Sequence, residues 1–397
     1  MLRPYTRLLR TPGAPLLLFA TFAGALPIGM LGLAVLLLVR AGTGSLGEAS
    51  AVAGALTAGN AIGVAVQGRL IDRHGQTRVL LIAGLLCSSA LVLLTLAATR
   101  GGSAMQQGFL ALIAGASIPA TTSSMRVLWP ALVADPVLRA SAYALLALMF
   151  SVALVTGPLV VSVLLVLRGP AAAVLAAAAM AGGGAALFAS TPASRRWRAA
   201  GPQPGWRPRA FATPGMRTLI FANLGAGMAG GMGSVAVPAA AIAHHVAALA
   251  GVLSAFYAIG DGVVGLAYGA RAWRLPAHLR LPLLQACLAV GAACQGLAPS
   301  LLWLAPLLLV SGAINAPAGI TTSALLDTVA TEGALTEAYT VMVATGLAGS
   351  SAGYALGGTI AHEAGPSTVF FVAACVTVCV AAWTLLRRAT LRSPASG

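Results

Sequence analysis

Lysine is missing from this chain: all 23 basic residues are arginine. A phosphate-cradling P-loop requires a lysine, and so does Schiff-base chemistry. Both are therefore excluded, and with them an ATP-driven pump of the P-loop kind. Acids are nearly as scarce, with eight against those 23 arginines and a net charge of +15. Charged residues make up only 8% and hydrophobic ones 59%, whereas soluble domains carry roughly 25% charge. So little polar surface cannot cover a globule of 397 residues, and lipid must serve as the solvent. The arginines stand between apolar runs rather than on one face of a domain, which argues against a nucleic-acid partner. Cys87, Cys287, Cys294, Cys375 and Cys379 all lie inside apolar runs. No His or acid accompanies them at metal-ligand spacing, so they read as small hydrophobes, with no metal or cofactor expected. Arginine in place of lysine, with abundant Ala and Gly, suggests a GC-rich bacterial genome.

What is present is a series of apolar runs of about 20 residues, the length an α-helix needs to cross roughly 30 Å of hydrocarbon. Helices 1 to 6 are expected over 16–39, 49–66, 79–98, 105–124, 140–167 and 171–189. Helices 7 to 12 are expected over 218–241, 247–270, 281–298, 301–325, 338–360 and 368–386. The basic start with Arg3, Arg7 and Arg10 has the look of a signal peptide, and Ala23-Gly24-Ala25 that of a cleavage site. The first run continues well past it, so a retained helix is expected. Residues 190–215 are rich in Pro, Gly and Arg (Arg195, Arg196, Arg198, Arg207, Arg209), lack acids and read as a flexible linker. The organisation is thus 1–189, a linker 190–215, and 216–397. With the N-terminus inside, every Arg except Arg40, Arg100 and Arg168 falls on the cytoplasmic side, 20 against 3. Both termini are then cytoplasmic, in a bacterial inner membrane.

One charged, Gly-punctuated stretch joins helices 2 and 3: Gly68-Arg69-Leu70-Ile71-Asp72-Arg73-His74-Gly75-Gln76-Thr77-Arg78. Its pattern, G-x-L-x-D-R-x-G-x-x-R, resembles the loop between helices 2 and 3 of the major facilitator superfamily. The halves also resemble each other. Gly54, Leu56, Ala58, Ala61, Ile62, Gly63 and Gly68 match Gly251, Leu253, Ala255, Ala258, Ile259, Gly260 and Gly265. Ala142, Tyr143 and Gly157 match Ala338, Tyr339 and Gly353, and Gly169-Pro170 matches Gly365-Pro366. The resemblance implies an all-α membrane protein, with 12 transmembrane helices in two pseudo-symmetric six-helix bundles and a site at mid-membrane between them. It implies no enzyme, but a secondary transporter working by alternating access.

The resemblance also assigns roles. Asp72 would help lock the inner gate against the N-terminus of helix 11 near Thr336, where a carboxylate is stabilised by the helix dipole. The second repeat has Gly269 where Asp72 aligns, so a mirrored lock is not expected, although Arg271, Arg274 and Arg280 keep that loop basic. Gly157-Pro158 in helix 5 keeps part of the Gly-Pro pattern of drug:proton antiporters and predicts a kink. Gln107-Gly108 matches the tail of the antiporter sequence R-x-x-Q-G, with Ala104 in place of its Arg. Arg126 reads as a cytoplasmic anchor at the end of helix 4 or as a cavity cation. Gly349, Gly353 and Gly357 give helix 11 a smooth packing face.

Asp261 is the one carboxylate well inside an apolar run. A charge there costs roughly 2.5–3.5 kcal/mol on insertion scales. It reads as a proton-coupling site, as a counter-charge for a cation, or as a structural hydrogen-bonding group, with Tyr257 one turn earlier on its face. Thr21, Asn60, Thr121, Asn223, Asn315, Tyr143 and Tyr339 are further candidates to line a cavity, each equally able to bond helix to helix. His244-His245 and His362-Glu363 are expected in solvated outer loops. The reading is a monomeric transporter in the lipid bilayer that exports a small, fairly apolar compound with protons as coupling ion. Its rivals are a uniporter or importer of a neutral nutrient, and a sensor that has the fold without transport.

Overall fold

The computed structural model describes residues 8, 13–133, 135–198, 213–269, 273–331 and 335–392. Arg3, Arg7, Arg10, Arg207, Arg209 and Arg271 lie outside them, as does the side chain of Thr336. Regular structure among the described residues is helical throughout. Where a segment has no water to bond its backbone, only a helix satisfies every N–H and C=O from within. The first half contains α1 Ala14–Thr43, α2 Leu46–His74, α3 Gln76–Thr99, α4 in two segments, Ala104–Ala116 and Thr121–Leu132, α5 Pro136–Arg168 and α6 Pro170–Ser190. The second contains α7 Pro214–Ala243, α8 Leu249–Gly269, α9 Ala277–Gly296 and α10 Leu301–Val329. The last helical stretch, Leu335–Leu386, has 52 residues. At 1.5 Å per residue it would run about 78 Å, more than twice the hydrocarbon thickness. Gly365 (φ 82°, ψ 169°) divides it into α11 and α12. Gly169 (φ 83°, ψ 175°) turns α5 into α6 in the same way. The Gly-Pro match between the halves is therefore one turn built twice, with glycine supplying the positive φ. With that division the eleven long apolar helices among the described residues become twelve spans, and the chain is a multi-pass membrane protein.

Three expectations change. The stretch 68–78 is not a loop: α2 runs to His74, α3 starts at Gln76, and only Gly75 (φ 86°, ψ 156°) intervenes. Gly68 is inside a helix, and Ile71 is buried against the core at the helix end. Helix 4 is not continuous. Pro119 removes one N–H and disfavours helical geometry at Ile118, so the helix breaks over 117–120 and resumes as far as Leu132. Arg126 accordingly sits inside the second segment, not at its end. The predicted linker begins as ordered structure: Pro192–Arg196 form a short helix, and buried Ser194 lies 3.3 Å from the Thr77 hydroxyl.

The internal repeat needs a fourth correction. In the first half, Gly59 lies against the Leu112 carbonyl, and Gly115 against the Leu56 carbonyl and the Asn60 amide. In the second, Gly260 lies against the Leu309 carbonyl, and Gly312 against the Tyr257 carbonyl and the Asp261 amide. Helices 4 and 10 thus correspond as 115 to 312, but helices 2 and 8 correspond as 59 to 260. The sequence match of Gly63 with Gly260 is one helical turn out of register. Ala- and Gly-rich helices repeat well at a four-residue shift, which is why the wrong register scores. In the packed register Asn60 is the counterpart of Asp261, Gly68 of Gly269, Asp72 of Trp273 and Arg73 of Arg274.

Cores show how the halves meet. One apolar cluster contains residues of both, from Met30 and Leu56 to Met232, Leu253 and Tyr354. It occupies the end of the bundle away from the chain termini, the distal end. At the terminal end the cores are separate: one holds Leu17, Leu80, Trp129 and Phe188, the other Met216, Leu281, Leu325 and Leu391. Contact between halves runs through α2 on α11 and α5 on α8, the same pairing in both senses. Two hydrogen bonds join the halves distally: the Ser351 hydroxyl donates to the Gly54 carbonyl at 2.8 Å, and the Ser162 hydroxyl to the Ala248 carbonyl. The bundle is closed distally and parts toward the terminal end.

Candidate functional site

Asp261 sits where the shared distal core ends. Tyr257, one turn before it, still packs against that core. Phe256, Ile259, Val263 and Leu266 are exposed apolar residues on one stripe of α8. At about 100° per residue, Asp261 points roughly 140–160° away from all four. A large apolar stripe on a membrane helix faces lipid, so the carboxylate faces the interior. Gly260 beside it meets α10 and Gly262 approaches Ser151 of α5, in the other half. Asp261 is thus half-buried at the apex of the opening.

The structure brings Asn315 to it. The Asn315 Nδ2 amide donates to Asp261 Oδ1 at 2.8 Å, from an exposed position on α10. No salt bridge to Asp261 exists among the described residues, and no group of three metal-ligating side chains occurs among them. Asn60, its counterpart in the first half, is half-buried at the equivalent crossing. A donor amide beside one carboxylate, where the shared distal core ends, can hold a proton or a cationic group.

Other candidates are placed elsewhere. Thr21 is buried and donates to the Leu17 carbonyl at 2.7 Å within its own helix. Thr121 is buried against Gly24, with no hydrogen-bond partner for its hydroxyl among the described residues. Neither lines the opening. Asn223 donates to the Met342 carbonyl at 2.6 Å, tying α7 to α11. The Tyr339 hydroxyl donates to Asp327 at 3.0 Å near the terminal end. Tyr143 and Arg126 are exposed. Gly157 packs against Gly29 and Met30, as Gly353 does against Met228, while Pro158 stays inside an unbroken α5. His244, His245, His362 and Glu363 are exposed as expected, the last two within the helix. Asp72 is exposed and has no hydrogen-bond or ion-pair partner among the described residues. Opposite it in the repeat stands a stack: Trp273 lies 4.4 Å from the Tyr268 ring, and the Arg280 guanidinium carbon 5.4 Å from that ring. Cation–π stacking thus occupies the place of the carboxylate.

One residue was missed by sequence reasoning. Gln67 of α2 braces the break in α4. Its Nε2 donates to the Ala116 carbonyl at 3.1 Å and the Ile118 carbonyl at 2.8 Å, and its Oε1 accepts from the Ala120 amide at 3.1 Å. The signal was present: a buried Gln in an apolar run, facing a Pro-containing one.

No family model matches the chain, and no curated protein does. Solved structures do. The nucleoside transporter NupG is 14% identical, with 94% of this chain and 98% of that one covered and a TM-score of 0.70. A bacterial homologue of the human lysosomal transporter Spinster, in an inward-facing and unoccupied conformation, is 15% identical over 96% and 98%, at 0.73. The human organic anion transporter MFSD10 is 14% identical over 95% and 98%, at 0.62. At such identities the likeness shows the fold alone: along nearly its whole length this chain folds as these transporters do.

Proposed function

We propose that the protein is a secondary active transporter in which protons drive export of a small, fairly apolar compound through Asp261. The observation that carries this is the Asp261–Asn315 pair on the interior face, at the apex of the opening. The arginine asymmetry supports placing the terminal end in the cytoplasm, which makes this conformation inward-open.

The physics gives a cycle. While the cavity is open, an ionised Asp261 has water and the Asn315 amide. When the halves rock and close the terminal end, water is expelled, and an uncompensated carboxylate would cost several kcal/mol. Closure is favoured when a proton or a cationic substrate neutralises it. Exchange of one for the other on opposite sides couples the two flows. The apolar walls favour an apolar body on the compound, and Asn60 supplies a neutral hydrogen-bonding group from the first half.

The test uses inverted vesicles with an imposed pH gradient and a lipophilic cationic dye. The natural protein is expected to accumulate dye, and Asp261→Asn to lose at least tenfold of the rate. A variant that concentrates dye as well as the natural protein would remove Asp261 from coupling. Gradient-independent dye equilibration by both would favour a uniporter.

A further inference from the structure

We infer that the terminal end of the second half carries a docking site for the headgroup of an anionic phospholipid, formed by His278, Arg388 and Arg392. This is independent of the transport reading.

The chain after α12 does not leave the molecule. A short 3-10 turn, Arg388–Leu391, folds back on it. Leu391 is buried in the core with Met216, Leu219 and Leu281. The Thr390 hydroxyl lies 2.9 Å from that of Thr218, and the Thr390 carbonyl packs where Gly215 has no side chain. The turn is therefore pinned between the starts of α7 and α9. Pinning it holds Arg388 and Arg392 in place, both exposed, beside the first turn of α9. His278 stands on that turn between Ala277 and Leu281, both of which pack in the core that holds Leu391. Like charges have been gathered on fixed elements rather than spread apart. No ion pair to a carboxylate relieves them among the described residues. The start of α9 has no side-chain cap and adds further partial positive charge.

Position identifies the anion. Leu385 and Leu386, just before the turn, are 46% and 82% exposed. Exposed leucines at the end of a membrane helix mark the depth reached by lipid tails. Arg387 follows at once, with its guanidinium carbon 5.4 Å from the Trp383 ring, the arrangement of an aromatic and a basic residue at a membrane interface. The cluster thus stands just beyond the hydrocarbon, at the level of lipid phosphates. Arginine forks match phosphate oxygens bidentately. Basic pockets between helices at this depth suit anionic headgroups.

The test uses the full chain in detergent, titrated with phosphatidylglycerol or phosphatidylcholine, reading bound lipid by native mass spectrometry and the thermal unfolding midpoint. Phosphatidylglycerol should bind preferentially and raise the midpoint. The double variant R388Q/R392Q should weaken it about tenfold or more, since each basic residue near a surface contributes about a fivefold factor. R388K/R392K should keep most of the preference. Equal binding of the two lipids would overturn the site, as would unchanged binding by the glutamine variant. An equal midpoint shift with inorganic phosphate would overturn the lipid as occupant. If the glutamine variant does not fold, the natural chain decides alone. High salt must loosen phosphatidylglycerol and spare phosphatidylcholine, and a salt-insensitive preference would overturn the proposal.

Discussion

Asp261 and Gln67 show two ways a polar side chain earns a place among apolar helices. Asp261 faces the opening and is held by one amide, so its removal should spare the fold. Asn315→Leu takes away that amide and leaves the carboxylate. The expected result is transport lowered about tenfold with an unchanged circular-dichroism spectrum, because only the orientation of Asp261 is lost. A structural role would instead show as poor folding. Gln67 faces protein and bonds three backbone groups freed by the break in α4. Orphaning a buried polar group costs about 1–3 kcal/mol. Gln67→Leu should therefore destabilise the chain by roughly 3 kcal/mol or more, read from denaturant unfolding. Gln67→Glu should recover little, since a carboxylate accepts from the Ala120 amide but has no N–H for the two carbonyls. The sequence announced Asp261 because a lone acid in an apolar run is conspicuous. It announced the pairing with Asn315 only as two separate candidates, since they stand 54 positions apart.

At the scale of elements, the recurring device is a glycine set against a carbonyl of the crossing helix. Gly59 with Gly115 and Gly260 with Gly312 bring α2 onto α4 and α8 onto α10 at backbone distance. The α8–α10 crossing is also what places Asn315 against Asp261. Gly312→Val should consequently abolish transport and lower thermal stability, whereas Gly183→Val on α6, which meets open space, should do neither. Both are read by vesicle uptake and unfolding midpoint. The number and order of the helices were legible from hydropathy, but the helices run several residues longer than their apolar runs, as in α2, which spans 46–74 against an expected 49–66. The break in α4 was only half legible: Pro119 was visible, but a proline alone kinks as often as it breaks, and the acceptance of the break depends on Gln67. The repeat register was misread because Ala and Gly match at many offsets. Only the carbonyl each glycine touches selects one.

For the whole molecule, the consequence is a bundle sealed at one end by a core that both halves share. Cysteines at Gly54 and Ser351, in a chain whose five native cysteines have been replaced, stand where a hydroxyl–carbonyl bond of 2.8 Å now joins the halves. Oxidation should cross-link them, stop transport and be reversed by a reductant. A cysteine at Asn315 should react with a membrane-impermeant maleimide from the terminal side and be protected from the distal side. Labelling from the distal side alone would contradict the inward-open reading. Composition and hydropathy by themselves determined the environment, the number of spans and the two-fold repeat, because exclusion of water from lipid leaves a long apolar run no structure but a helix. The charges between runs supply an expected sidedness by the same local reasoning. Which helix face meets lipid, which register the repeats adopt, which end is sealed, and that Asp261 meets Asn315 were decided only by tertiary structure. Those are properties of contacts between segments far apart in the chain, and in helices made largely of small apolar residues the local sequence is nearly degenerate with respect to them.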